Sequence, residues 1–311
     1  MKRFLCYLVA LALLVGGVGQ AKAQPGNVYT TLDPYGSTAS WAYGINDSTQ
    51  MVGIYWDPAQ HGYLLSGGHF TIIDAGAATI PFGINASGQI VGGYDYGHGF
   101  LFSGGRYTTL DVPGSNGTAA VGINSAGQIV GGYYTNGGDT SHGFLLSGGS
   151  YTTLDVPGST STLARGINAS GQIVGWYTTG SLDGPYHGFV LNRGSYTTLD
   201  VPGSTFTIAN GINALGQIVG WYGVDGNPYG HGFLLDNGGY TTLDVPGSIG
   251  TRVFGINDLD EIVGDYYNGR VHGFLLSSSK YTTFAPEPST LLLLGIGTLG
   301  VIGWAWRRTT R

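Results

Sequence analysis

Tyr196-Thr197-Thr198-Leu199-Asp200-Val201-Pro202-Gly203-Ser204, then Gly211-Ile212-Asn213-Ala214-Leu215-Gly216-Gln217-Ile218-Val219-Gly220-Trp221-Tyr222, then His231-Gly232-Phe233 is one statement of a phrase the chain makes six times. Gly-Ile-Asn starts at Gly44, Gly83, Gly122, Gly166, Gly211 and Gly255, with spacings of 39, 39, 44, 45 and 44 residues. The aromatic and β-branched run Tyr196 to Leu199 reads as a strand, as do the segments ending in Asn213 and Tyr222 and the one opening at His231. Between them, Val201-Pro202-Gly203-Ser204 suits a type II turn with glycine at positive φ. Asn213-Ala214-Leu215-Gly216 suits a four-residue hairpin connection whose glycine turns left-handed. Four short strands in about 40–45 residues are the signature of a propeller blade. The prediction is an all-β, six-bladed β-propeller over residues 24–285.

Counting the phrases predicts how the ring closes. Seven Tyr-Thr-Thr-like strands, at Tyr29, Phe70, Tyr107, Tyr151, Tyr196, Tyr240 and Tyr281, accompany six Gly-Ile-Asn segments. One surplus strand is what a blade assembled from both ends requires. Thr49 and Asp260 replace the hairpin glycine in the first and last copies. The Asn-x-x-Gly hairpin and the Gly-Gly turn barely vary, whereas the loops after Leu-Asp and after Gly-x-Tyr do. Alternate connections emerge on opposite faces, so the variable loops share one face, where binding is expected.

Both ends read as address labels. Lys2 and Arg3 precede an apolar run from Phe4 to Val18, and Ala21-Lys22-Ala23 before Gln24 is a small-x-small cleavage site, so residues 1–23 are expected to be a signal peptide. The only cysteine, Cys6, falls inside it, so the exported part is expected to hold no disulfide. Pro286-Glu287-Pro288 leads into an apolar stretch over 291–306, followed by Arg307, Arg308 and Arg311. As a helix that stretch would be roughly 24 Å long, short but adequate as a transmembrane segment, with the arginines on the cytoplasmic side. Residues 286–311 resemble the PEP-CTERM sorting signal. The resemblance implies an exosortase-type processing enzyme as partner, residence in the inner membrane before processing, and export to the cell surface or beyond.

Between Gln24 and Ala285 there are six Lys or Arg residues and seventeen acids, a net of −11. Such a surface repels phosphate backbones, which argues against nucleic acid, and it permits a loosely held divalent cation. The repeats themselves, Gly-Ile-Asn-x-x-Gly-x-Ile-Val-Gly followed by His-Gly-Phe, resemble the HAF-type extracellular repeat over roughly residues 29–284. The middle glycine departs from the alanine of that family's name, and the resemblance implies fold and location without a chemistry.

Six histidines, His61, His98, His142, His187, His231 and His272, open equivalent strands. Spread around a ring they cannot converge on one metal, so they are expected to be hydrogen-bonders between strand and loop. Asp33, Asp74, Asp111, Asp155, Asp200 and Asp244 end strands ahead of turns, where a carboxylate accepts backbone N–H groups. Asp57, Asp95, Asp139, Asp183, Asp225 and, slightly earlier, Asp265 precede the histidines out of register and are candidates for an acidic ligand-binding rim. Trp176 and Trp221 share one position in adjacent copies, where the others carry Ile54, Gly93, Gly132 or Asp265, and are candidates for sugar stacking or for core packing. Asn46, Asn85, Asn116 and Asn168 head Asn-x-Ser/Thr triplets that read as turn chemistry. No Gly-x-Ser-x-Gly, His-Glu-x-x-His or phosphate-cradling loop occurs, and the only glutamate of the repeats is Glu261. The leading expectation is a non-enzymatic surface or matrix protein, without a cofactor, that binds exopolysaccharide on its variable face. A polysaccharide hydrolase or lyase with aspartates meeting at the axis, and a purely structural scaffold, are the alternatives.

Overall fold

The computed structural model describes residues 27–135, 140–180 and 184–278. They form six four-stranded antiparallel sheets, and no α-helix occurs among them. Blade 1 runs from its inner strand Ala39–Ile45 through Met51–Asp57 and Ala59–Ser66 to an outer strand His69–Ile73. Blades 2 to 5 repeat this order, from inner strands Ile80–Ile84, Gly117–Ile123, Ser161–Ile167 and Phe206–Ile212. Blade 6 takes Gly250–Ile256, Ile262–Tyr267 and Val271–Ser278 from one end of the described chain and its outer strand, Asn27–Thr31, from the other. Tyr29, paired with Leu276, thus belongs to the sixth outer strand, so the ring closes from both ends as predicted but with six of the seven Tyr-Thr-Thr-like copies rather than with a surplus one. The seventh copy at Tyr281 lies outside the described residues, as do both predicted address labels.

The repeat as read from the sequence is offset by one strand from the blade. Tyr-Thr-Thr is the outer strand of the preceding blade, because a two-residue turn ties it to the His-Gly-Phe strand (Leu235 opposite Tyr240, Leu191 opposite Tyr196). The Val-Pro-Gly segment is therefore the crossing from one blade's rim to the next blade's inner strand. Its turn is as predicted, with Ser204 N donating to Val201 O at 3.0 Å and Gly203 at φ 80°. Thr49 and Asp260 take the left-handed conformation of the glycines they replace.

Packing explains why the phrase is constant. The aromatic of His-Gly-Phe, namely Tyr63, Phe100, Phe144, Phe189, Phe233 and Phe274, is at most 1% exposed in every blade. It lies against the glycine of Ile-Val-Gly; a Cβ on Gly220 would come 2.8 Å from the Phe233 ring. Each such ring is worth about 2–3 kcal/mol of burial. The glycine of Gly-Ile-Asn lets neighbouring inner strands touch at the axis, since a Cβ on Gly83 would stand 2.6 Å from Val121 O.

The asparagine closes the ring. Asn46 Nδ2 donates to Asn85 O (3.0 Å), and the relay continues through Asn124, Asn168, Asn213 and Asn257, which donates back to Asn46 O at 3.1 Å. Each Oδ1 meanwhile accepts two N–H groups of its own hairpin, as Asn46 does from Ser48 and Gln50. Asn46, Asn85 and Asn168 are buried in this girdle, so their role extends well beyond the local turn.

Candidate functional site

Blade geometry places the variable loops on one face, as the pattern of constant and variable connections predicts. On that face one cross-strand pair differs in every blade: Trp41–Ile54, Ile80–Gly93, Ala119–Gly132, Leu163–Trp176, Ile208–Trp221 and Arg252–Asp265. In blades 4 to 6 these side chains fill the space. Trp176 meets Tyr186 edge-on at 4.8 Å, Phe206 meets Trp221 at 4.9 Å, and Arg252 lies over Trp221 at 5.9 Å. Both tryptophans, the sugar-stacking candidates, are thus engaged in packing, Trp176 within its own blade and Trp221 within its blade and against Arg252 of the next.

Blades 2 and 3 carry the smallest pairs, and there the packing opens into a cleft of about 350 Å3. Gly93 and Gly132 floor it, Phe82 and Leu163 flank it, and Tyr94, Tyr96, Tyr133, Tyr134 and His98 rise around it. The volume falls within the range of small-ligand sites, and the mixture of aromatic faces with a few polar tips is typical of them. Tyr94 and Tyr133 are held by hydrogen bonds to Thr109 (2.8 Å) and Thr153 (2.9 Å). His98 Nδ1 is bound to Asp111 at 2.9 Å. Tyr96 is 87% exposed, on a left-handed backbone at φ 60°, at the tip of the loop that overhangs the cleft.

The histidines tie strand to strand-end in five blades. His98, His142, His187, His231 and His272 pair through Nδ1 with Asp111, Asp155, Asp200, Asp244 and Asp33 at 2.7–2.9 Å. Those aspartates therefore serve a histidine in addition to any turn. Blade 1 differs: Asp74 accepts Gly76 N at 3.0 Å, the turn role read from the sequence.

The candidate rim divides. Asp57, Asp95 and Asp225 are exposed on blades 1, 2 and 5, and Asp139 and Asp183 lie outside the described residues. Asp265 is not a loop residue. It sits within a strand, 2% exposed, and receives Arg252 Nε at 2.9 Å and Nη2 at 2.6 Å. Burial pushes its carboxyl up to about 6, and Arg252 pulls against that shift. Among the described residues, no three His, Cys, Asp or Glu side chains cluster as metal ligands. The axial cavity on the variable side is lined by Tyr43, Phe82, Val121, Arg165, Asn210, Phe254 and the Gly-Ile pairs, with no carboxylate. The aspartates of the hydrolase alternative are not brought together there.

Sequence reasoning noted Gly93 and Gly132 only as contrasts to the tryptophans. The signal lay in those two letters, two adjacent copies with no side chain where others carry a large one.

Comparison with known proteins agrees on fold and sorting. Residues 285–308 match the PEP-CTERM protein-sorting motif, which implies an exported protein with a C-terminal membrane anchor before exosortase processing. No curated protein matches the chain in sequence. Among solved structures, a Xanthomonas campestris gluconolactonase is 12% identical, with a TM-score of 0.53 over 78% of this chain and 87% of its own. A mutant of the Aleuria aurantia lectin, in complex with Fucα1-6GlcNAc, is 16% identical, with a TM-score of 0.50 over 78% of this chain and 93% of its own. A Dyadobacter fermentans protein is 11% identical, with a TM-score of 0.53 over 82% of this chain and all of its own. At such identities the likeness is one of fold. The chain is an all-β, six-bladed propeller that carries a PEP-CTERM sorting motif.

Proposed function

We propose that the protein is an exported, non-catalytic glycan-binding propeller of the cell surface or extracellular matrix, and that the cleft over Gly93 and Gly132 takes a segment of exopolysaccharide. The observation that carries this reading is the cleft itself: a cavity of about 350 Å3 on the variable-loop face, walled by tyrosines. Pyranose rings present an apolar face edged with hydroxyls, and tyrosine offers the matching apolar body with a polar tip. The sorting motif supports this reading, since an exported domain can meet such polymers, and the repeats' resemblance to the HAF-type extracellular repeat points the same way. The test is a binding screen of the purified protein against bacterial exopolysaccharides, with Gly93→Trp as the control that fills the cleft. Binding by the wild type and its loss in the variant are expected. No binding at about millimolar glycan, a Kd weaker than roughly −4 kcal/mol, overturns it.

A further inference from the structure

At the axis, each inner strand bulges by one residue just before its Gly-Ile-Asn glycine, and the bulged residue faces the channel. These residues are Tyr43, Phe82, Val121, Arg165, Asn210 and Phe254, five residue types at a position always followed by Gly-Ile-Asn. Three successive blades supply an aromatic wall, with Tyr43 packed 5.1 Å from Phe254 and 5.4 Å from Phe82. The facing side carries Arg165 and Asn210. Between them is a cavity of about 100 Å3.

Each polar side chain holds a buried atom without a hydrogen-bond partner, Nε of Arg165 and Oδ1 of Asn210. Arg165 forms no hydrogen bond or ion pair among the described residues, and its Nε is sealed from solvent. Protein on all sides pushes its pKa down to about 10, although the channel keeps part of the side chain open. Arg252, by contrast, has both Nε and Nη2 satisfied by Asp265. Asn210, 5% exposed, donates Nδ2 to Val253 O at 2.7 Å, which leaves its buried Oδ1 without a donor. An orphaned buried amide oxygen costs about 1–3 kcal/mol, and the sealed Nε of Arg165 is a second unsatisfied polar atom beside the same cavity. One kind of group answers both: an anionic acceptor beside a hydroxyl donor.

We propose that this axial cavity binds a hydroxy-carboxylate, with the carboxylate on Arg165, the neighbouring hydroxyl donating to Asn210 Oδ1, and the carbon skeleton against Tyr43, Phe82 and Phe254. The planar guanidinium fork matches a carboxylate. At about 100 Å3 the cavity is well below the usual range of small-ligand sites, which suits the acidic end of a molecule better than a whole pyranose ring. A free hydroxy acid and the acidic edge of a uronic acid share this chemistry. The site stands apart from the glycan cleft, with which it has only Phe82 in common.

The test is calorimetric titration of the full-length chain in mild detergent with lactate, glucuronate, inorganic sulfate and glucose. Saturable binding of at least one carboxylate is expected, about tenfold or more tighter than sulfate and with no signal from glucose. Lactate alone assigns the site to free hydroxy acids, and glucuronate assigns it to acidic sugars. Arg165→Met is expected to lose carboxylate binding by about tenfold or more with the melting temperature held or raised, because no partner is orphaned. Asn210→Asp, which places a carboxylate in the cavity and gives up the hydrogen bond to Val253 O, is expected to block binding of an added carboxylate. Gly93→Trp leaves carboxylate binding intact, so failure here is distinct from failure of the cleft. Absence of saturable heat with both carboxylates, sulfate binding as tightly, or wild-type affinity in Arg165→Met overturns the proposal.

Discussion

Blades 2 and 3 and blades 4 to 6 share one backbone plan and differ in what a single cross-strand position carries. Gly93 and Gly132 leave the space between blades open, whereas Trp176, Trp221 and the Arg252–Asp265 pair occupy it. The backbone plan is the same under either choice because its framework is set elsewhere, in the buried rings of His-Gly-Phe and the girdle of asparagines. A repeat protein of this kind can keep every framework contact and still write a different surface on each blade.

The filled half is where substitution is expected to cost most. Arg252→Met leaves the Asp265 carboxylate buried and unpaired, and a loss of about 3–5 kcal/mol is expected near neutral pH. The pH dependence has a definite sign. Burial holds Asp265 at about 6 in the fold, against about 3.9 unfolded. A carboxyl raised in this way contributes most stability below the unfolded value and loses it as pH climbs through the interval between the two. Without Arg252 the interval extends upward, so denaturant titrations should show a larger deficit for the variant near pH 8 than near pH 5. An equal deficit at both would break the account.

Trp221→Gly imitates the open half. It removes a ring that packs on Phe206 and beneath Arg252, and a cost of about 3–5 kcal/mol with a new cavity is expected from thermal melts and a crystal structure. The reverse exchange should be far milder. A Cβ on Gly93 meets nothing closer than His98 O at 3.7 Å, so Gly93→Trp is expected to change stability by about 1 kcal/mol or less and glycan affinity by about tenfold or more. Gly132→Trp is less well tolerated, because Leu163 leans into the space the new side chain needs. The smallest effect belongs to the outer pairs common to both halves. His142→Ala, about one third exposed beside Asp155, should cost about 0–1 kcal/mol by urea titration and leave glycan binding unchanged.

The period, the four strands per repeat, the closure and the shared face of the variable loops were legible because each was stated six times. The offset between repeat and blade was not, since a period has no origin; only the pairing of Tyr240 with Leu235 assigns the outer strand to its blade. The asparagines looked like turn residues because their other partner lies in the next blade, 39–45 residues away. Asp265 was grouped with loop acids by nearness to a histidine, yet Arg252 at the matching cross-strand position marks it as half of an internal pair. Gly93 and Gly132 were in plain view. An absent side chain becomes a cleft only where no neighbour takes its place: a Cβ on Gly93 would meet nothing closer than 3.7 Å, whereas Leu163 already covers Gly132.

The junction between Asn27 and Ser278 has an orienting effect. These two residues pair where the other blades make their short turn, on the side opposite the long loops. The sorting motif begins at residue 285, so at about 3.5 Å per residue no more than ~25 Å of leash separates it from that rim. The described chain therefore ends on the side of the ring opposite the tyrosine-walled hollow, so the route to the sorting motif and the hollow do not share a face.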